Sequence, residues 1–271
     1  MCELLVASFE EPRPFADMDT VACGLEGLGV AGFGWGVAWL EEGGAHPTVR
    51  ALKGLGCYRE EGHRNDSLLH QVSRRFMVHL RRPSQLSTVQ MADTQPFLDG
   101  DRSAWCHNGY LDRSEELRER FADRLFGRAD SEVGWQLFLD EMAGGAEPLD
   151  ALRAVDEAFG GKVNLAYLAS DGDLCVYSRN ETNRMWTFRL DDAVMAATDL
   201  HSADSSLFDL VVPRASDRAL LEPGTALRMA PPLGGVPGAP RDTSYGSTAG
   251  FSPGDDGVTA GAPAGRRRSP G

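Results

Sequence analysis

What the sequence lacks narrows its reading first. The five cysteines, Cys2, Cys23, Cys57, Cys106 and Cys175, are an odd number without a C-x-x-C pair. Neither a disulfide framework nor a zinc knuckle is indicated. Cys106-His107 is adjacent like a metal pair, but neighbouring strand residues point to opposite faces and no further ligand stands at a usual spacing. No metal and no cofactor are therefore expected, and the four cysteines after Cys2 read as small core residues. No stretch reaches the ~18 consecutive apolar residues of a membrane span. The N-terminus has no basic region and carries Glu3, Glu10 and Glu11, unlike a signal peptide. Positive charge is scarce, with 27 Lys and Arg against 40 Asp and Glu and a net charge of −13. That balance argues against nucleic acid or an anionic membrane as partner. By elimination a cytoplasmic protein is expected, and no internal repeats are evident.

What is present is the composition of a globular domain: 271 residues, 42% hydrophobic and 25% charged, enough for a full core. Residues 2–9 form an apolar run that predicts a buried strand ended by Glu10-Glu11-Pro12. A short helix is expected over 20–28, and a glycine-punctuated strand over 32–40, where glycine signals a bulge or a close backbone approach. Residues 75–81 predict a central strand stopped before Pro83. Residues 104–110 predict a strand running into Asn108-Gly109, which on its own is a hairpin-turn signal. Leu117, Phe121 and Leu125, four apart, predict an amphipathic helix over 114–126. Further helices are expected from 128 to about 142, with Asp130 or Ser131 as N-cap, and over 148–159, ended by Gly160-Gly161. A hairpin over 163–178 and strands over 185–190, 193–197 and 226–229 complete the pattern. Strands, then helices, then strands again imply an α+β fold of stacked antiparallel sheets with helices outside. Residues 231–271 shift to Pro, Gly, Ser, Ala and Thr, the composition of a disordered tail behind a domain at 1–230.

The second residue carries the chemistry. Removal of Met1, usual before a small side chain, leaves Cys2 with a thiol and a free α-amine. An amine of pKa ~7.7–8.0 can take the thiol proton at neutral pH. Downstream, Gly34-Trp35-Gly36-Val37-Ala38-Trp39 forms the glycine-rich strand, and His79-Leu80-Arg81-Arg82-Pro83-Ser84 ends the central one. Gln95-Pro96-Phe97, His107-Asn108-Gly109 and Ala129-Asp130-Ser131-Glu132 follow in order.

Together these resemble the class II glutamine amidotransferases, N-terminal-nucleophile hydrolases, over residues 2 to about 229. The resemblance implies a four-layer αββα sandwich of two antiparallel sheets. It implies Cys2 as nucleophile, attacking the γ-amide of glutamine to form a thioester, with Asn108 (side chain) and Gly109 (backbone N–H) as the oxyanion hole. Arg81, helped by Ser84, would bind the substrate α-carboxylate and Asp130 its α-ammonium, while His107 and Trp35 would be structural. Phe33 and Gln95 depart from the aspartate and histidine the family often has there. No synthase domain is recognisable after the motifs, so a separate ammonia-accepting synthase subunit is the expected partner. Two other readings stand beside this one. A hydrolase removing γ-glutamyl from a sulfur-containing intermediate would present the same head group, and a catalytically silent binding module would keep Met1.

Overall fold

The protein is described from a computed structural model over residues 2–29, 31–199 and 211–230; the expected tail at 231–271 lies outside these residues. Two antiparallel sheets lie face to face between helices. The larger has seven strands: β1 (Glu3–Pro14), β2 (Trp35–Glu41), β3 (Thr48–Gly54), β4 (Val72–Leu80), β9 (Met185–Leu190), β10 (Ala193–Thr198) and β11 (Ser216–Leu220), in the order β11-β9-β10-β1-β4-β2-β3. The smaller has β5 (Phe97–Asp99), β6 (Ser103–Leu111), β7 (Gly161–Ala169), β8 (Leu174–Ser178) and β12 (Thr225–Ala230), in the order β12-β8-β7-β6-β5.

Both sheets are covered on two faces, and β1 shows why its sequence reads as a continuous apolar run. Leu4 and Val6 point between the sheets, where they meet Ala38, Met77, Ala104, Cys106, Ala166 and Val176. Leu5, Ala7 and Phe9 point the other way, against Met18, Val21 and Leu25 of α1 (Ala16–Leu28). A one-residue slip would exchange these faces; pairing of Leu5 with Val78 on one side and Ala197 on the other holds the register. The outer face of the smaller sheet is covered by α4 (Asp130–Ala143) and α5 (Pro148–Phe159). Trp105, Trp135, Phe138 and Tyr167 stack there with ring centroids 4.9–5.9 Å apart from one to the next. The α-β-β-α layering expected from the sequence is thus present. The short α2 (Asp66–Leu69) and α3 (Ser114–Arg118) add to the periphery.

Several local expectations differ. α1 begins at Ala16 rather than 20, and β1 runs on to Pro14, past Glu10 and Glu11. β3, β5 and β11 carry no signalling apolar run; all three are edge strands, and β3 and β11 bury little surface. The helix expected over 114–126 stops at Arg118 and continues as a 3-10 turn over Glu119–Arg124. There the Arg118 guanidinium reaches back to the carbonyls of Arg128 and Ala129 at 2.8 and 3.0 Å, tying the doubling-back chain. Asn108-Gly109 is no turn: it lies within β6, opposite Asn164 and Val163 of β7. Finally, of the four cysteines read as core, Cys106 and Cys175 are buried, whereas Cys23 and Cys57 are only half-buried.

Candidate functional site

The start of β1, the end of β4 and the N-terminus of α4 converge on one cavity of about 260 Å³. Cys2, Arg81, Ser84, Gly109 and Asp130 line it; Asn108 is fully buried and not part of the lining. Five candidates spread over some 130 residues of sequence therefore line one cavity, and the sixth hydrogen-bonds to the Cys2 carbonyl. A larger hollow of about 380 Å³ lies elsewhere, at the β9–β10 turn. Its arginines are already paired, Arg13 with Asp192 at 3.1 Å and Arg214 with Asp191 at 2.9 Å, so it presents little to a ligand.

Cys2 is half-buried and its Sγ accepts the Arg82 N–H at 3.3 Å. Burial pushes the thiol up to about 11, against the lowering pull of the Arg82 N–H and the Arg81 charge. It is therefore protonated at neutral pH, and a base is needed to release the thiolate.

Asn108 donates through Nδ2 to the Cys2 carbonyl. Its Oδ1 accepts from Nδ2 of Asn164 at 3.0 Å and of Asn180 at 3.4 Å. With the carbonyl end of the amide so held, the amino end faces Cys2. Asn183 joins this group, donating to the Cys2 carbonyl at 3.4 Å, while its own carbonyl accepts from Asn164 at 2.6 Å. These three asparagines escaped the sequence reading because their distance from Cys2 in sequence, 162 residues or more, hides the contact. At Gly109, φ is +140° and a Cβ would lie 1.7 Å from the Lys162 carbonyl oxygen, so only glycine fits.

Arg81 is 4% exposed. Its Nη2 donates to Thr88 Oγ1 at 2.8 Å, while Nη1 is buried without a partner. A buried guanidinium N–H left open beside a cavity is a group waiting for an acceptor. Asp130 is the first residue of α4, not a side-chain cap as such: the N-cap is Ala129. Its Oδ2 accepts the Leu111 N–H at 2.8 Å and Oδ1 the Ser131 N–H at 2.8 Å, which fixes the carboxylate at the cavity edge. Asp93, buried and also in the wall, accepts the Arg128 and Ala129 N–H groups, each at 2.7 Å, and so anchors the loop that delivers Asp130. No apolar spacing or motif marked it. Ser84 stands exposed at the mouth.

Behind the site, Gln95 is 3% exposed and its side chain bonds both the N–H and the carbonyl of His107. Its own backbone carbonyl turns toward β2, where a Cβ on Gly36 would lie 2.2 Å from that oxygen. The close approach explains the glycine. His107 Nδ1 lies 2.9 Å from Ser131 Oγ, and burial lowers its pKa. His79 Nε2 reaches the His107 carbonyl at 3.2 Å. Burial first, then the Arg81 charge, pushes His79 down to about 3, so it stays neutral. Both histidines hold structure, and the Trp35 ring, donating to Glu61 at 3.1 Å, does the same.

A family model described as class II glutamine amidotransferases matches residues 1–209. Among solved structures, the glutamine phosphoribosylpyrophosphate amidotransferase of B. subtilis, complexed with ADP and GMP, is similar at TM-score 0.62 and 18% identity over 84% of this chain and 49% of that one. A structure described as the allosteric regulatory enzyme of purine biosynthesis is similar at TM-score 0.63 and 18% identity, over 84% and 46%. A class II domain protein from Silicibacter pomeroyi, described as a glutamine aminotransferase, is similar at 0.50 and 16% over 85% of this chain and 100% of that one. The chain spans about half the length of the first two. No curated protein sequence matches it.

Proposed function

The chain belongs to the class II glutamine amidotransferase family, and on that footing we propose that it hydrolyses the γ-amide of glutamine through a γ-glutamyl thioester on Cys2. The observation that carries the reading is that Arg81, with its open Nη1, and Asp130 line the same cavity as Cys2. A substrate with one carboxylate and one ammonium on the same carbon matches that pair, and its amide then extends toward the sulfur.

In the proposed reaction Met1 is gone and the Cys2 α-amine, directly or through one water, takes the thiol proton as Sγ attacks the amide carbon. The raised thiol pKa makes this transfer a required step rather than an equilibrium already met. Charge on the tetrahedral oxygen is met by Asn108 Nδ2, whose second N–H is not used by the Cys2 carbonyl, and by the Gly109 N–H. Because the asparagine group is fixed before substrate arrives, little reorganisation is needed as that charge develops. The amine returns its proton to the leaving nitrogen, ammonia departs, and water resolves the thioester to glutamate. A separate synthase subunit that takes up the ammonia belongs to the same proposal.

The test is glutamate release from glutamine and from a set of γ-glutamyl amides and thiol conjugates, with Cys2→Ala as control. Turnover of glutamine lost in Cys2→Ala supports the proposal. Turnover of γ-glutamyl-cysteine compounds alone would shift the substrate but keep the mechanism. Glutamate release by Cys2→Ala at the wild-type rate would end it.

A further inference from the structure

On the far side of the larger sheet, α1 and the loop 55–65 bring three unlike ligand groups together. Asp19 and Cys23 are one turn apart on α1, and His63 comes from the loop; their ligand atoms lie within 4.8 Å of one another. We propose that Asp19, Cys23 and His63 form a zinc site, with water in the fourth position.

The geometry is near what the ion requires. Ligands 2.0–2.3 Å from a tetrahedral zinc are separated from each other by roughly 3.3–3.8 Å. Cys23 Sγ stands 3.9 Å from both Asp19 oxygens, whereas His63 Nδ1 is closer, at 2.6 Å from Oδ2. Binding therefore asks the imidazole to withdraw by about 1 Å to reach that spacing. Its side chain is 51% exposed and on a loop, so the movement is sterically open. A sulfur, an imidazole nitrogen and one carboxylate form a borderline-soft set; calcium and magnesium take oxygen ligands, so the set selects against them.

Outer support is already in place. The Tyr58 O–H donates to Asp19 Oδ1 at 2.5 Å, leaving Oδ2 turned toward His63. Such a bond to a ligating carboxylate is what orients it. Glu26, one turn beyond Cys23, accepts the Tyr58 N–H at 2.7 Å and the Arg59 N–H at 2.8 Å, fixing the start of the loop. A plain hydrogen-bonded Tyr58–Asp19–His63 chain would account for three of these residues and core packing for the Cys23 side chain, but neither calls for a sulfur turned to the carboxylate. That thiol packs against the core at its half-buried edge, and at 3.9 Å from both carboxylate oxygens it is too far for a strong hydrogen bond. On binding, the thiol proton passes to solvent and the proton on His63 Nδ1 is given up, leaving the neutral imidazole protonated at Nε2, as the zinc–sulfur and zinc–nitrogen bonds form with no change of oxidation state.

The same loop leans on the catalytic wall. Glu61 accepts the Gly56 N–H at 3.2 Å, the Gly56 carbonyl accepts the Gly34 N–H at 3.0 Å, and the Gly34 carbonyl accepts the Arg81 N–H at 2.8 Å. A bound ion would brace this chain of contacts from behind, and the site stands whether or not the hydrolytic reading does.

The experiment titrates the full chain carrying Cys2→Ala, which removes the half-buried thiol of the cavity, with Co(II) and then Zn(II). Expected are one thiolate-to-cobalt charge-transfer band saturating at one ion per chain, and its loss on adding zinc. Cys23→Ser should abolish the band, and Cys23→Ser and His63→Ala should each weaken zinc at least ~10-fold. Tyr58→Phe should weaken it by ~10-fold, and Cys57→Ser should change nothing. Melting curves of each variant without metal separate lost ligation from lost folding. Absence of the band, or a band and zinc affinity that survive both Cys23→Ser and His63→Ala in folded protein, would overturn the proposal.

Discussion

Gln95 and His107 are joined at two points: Gln95 Oε1 accepts the His107 N–H at 2.5 Å, and Gln95 Nε2 donates to the His107 carbonyl at 3.1 Å. The β5–β6 ladder runs from Asp99–Ser103 to Phe97–Trp105 and stops there. The Gln95 side chain continues that ladder past Pro96, where the backbone has turned toward β2, and holds the peptide immediately before Asn108. The first prediction follows from this clamp. Gln95→Glu keeps the size and the acceptor but loses the donor, and Gln95→Leu loses both. Each should lower kcat more than it raises KM, by ~10-fold or more, since small misplacement of a reacting group is costly. Gln95→Leu should also lower Tm, because the buried His107 N–H is left unpaired, at a cost of about 1–3 kcal/mol. Steady-state kinetics with melting curves check it; an unchanged kcat in both variants would show that the clamp has no part in catalysis.

Cys2 is to be tested at both of its functional groups. Cys2→Ala should bind substrate and not turn it over, and Cys2→Ser should retain at most a trace. A protein with an uncleaved extension before Cys2 should be inactive although its thiol is intact, because its base is acylated. Glutamate release and mass measurement of the N-terminus on the same sample decide the point. An active, extended protein would show that the proton goes elsewhere.

Asn108 and the two clamps should separate by kinetic signature. Asn108→Ala should lower kcat by roughly 10²–10³-fold, the usual effect of one oxyanion donor. Arg81→Ala and Asp130→Asn should act chiefly on KM, each leaving one substrate charge unmatched. Comparable KM effects in all three would show that Asn108 serves binding, not the transition state.

Glu3 links stability to pH. It is fully buried next to Cys2, and Thr198 Oγ1 donates to it at 2.6 Å. Burial, opposed by that hydrogen bond, pushes its carboxyl from the ordinary 4.5 up to about 8. A folded pKa above the unfolded one means that its contribution is full below about 4.5 and lost as pH rises through about 8. Glu3→Gln, which cannot ionise, should therefore gain in Tm over the wild type as pH is raised from about 5 to 8.5. A constant difference between the two melting curves across that range would show an ordinary carboxyl.

How far the sequence reached depends on the range of each signal. α5 was legible to the residue, since Pro148 at its first turn, Gly160 at its end and an apolar stripe between them act within the helix itself. The double-sided burial of β1 was legible in its unbroken apolar run. The motif order led to six residues, five of which line one cavity. Where a local signal competed with a long-range one, the tertiary structure decided. Asn108-Gly109 carries a turn signal, but pairing with Asn164 and Val163 keeps it in strand. Leu117, Phe121 and Leu125 carry a helix signal, but the return of the chain to Arg128 and Ala129 ends it early. The supports of the site have no local signal at all: Asn164, Asn180, Asn183 and Asp93 become neighbours of Cys2, Asn108 and Asp130 only when the sheets close. Asp19, Cys23 and His63 likewise share no metal-binding spacing, and they meet because α1 lies against a loop more than thirty residues later. Sequence by itself determined the central strands, the helices with their own caps and stripes, and which chemistry-bearing residues are available. Only the tertiary structure decided which polar groups face one another, because those contacts exist solely between segments that burial brings together.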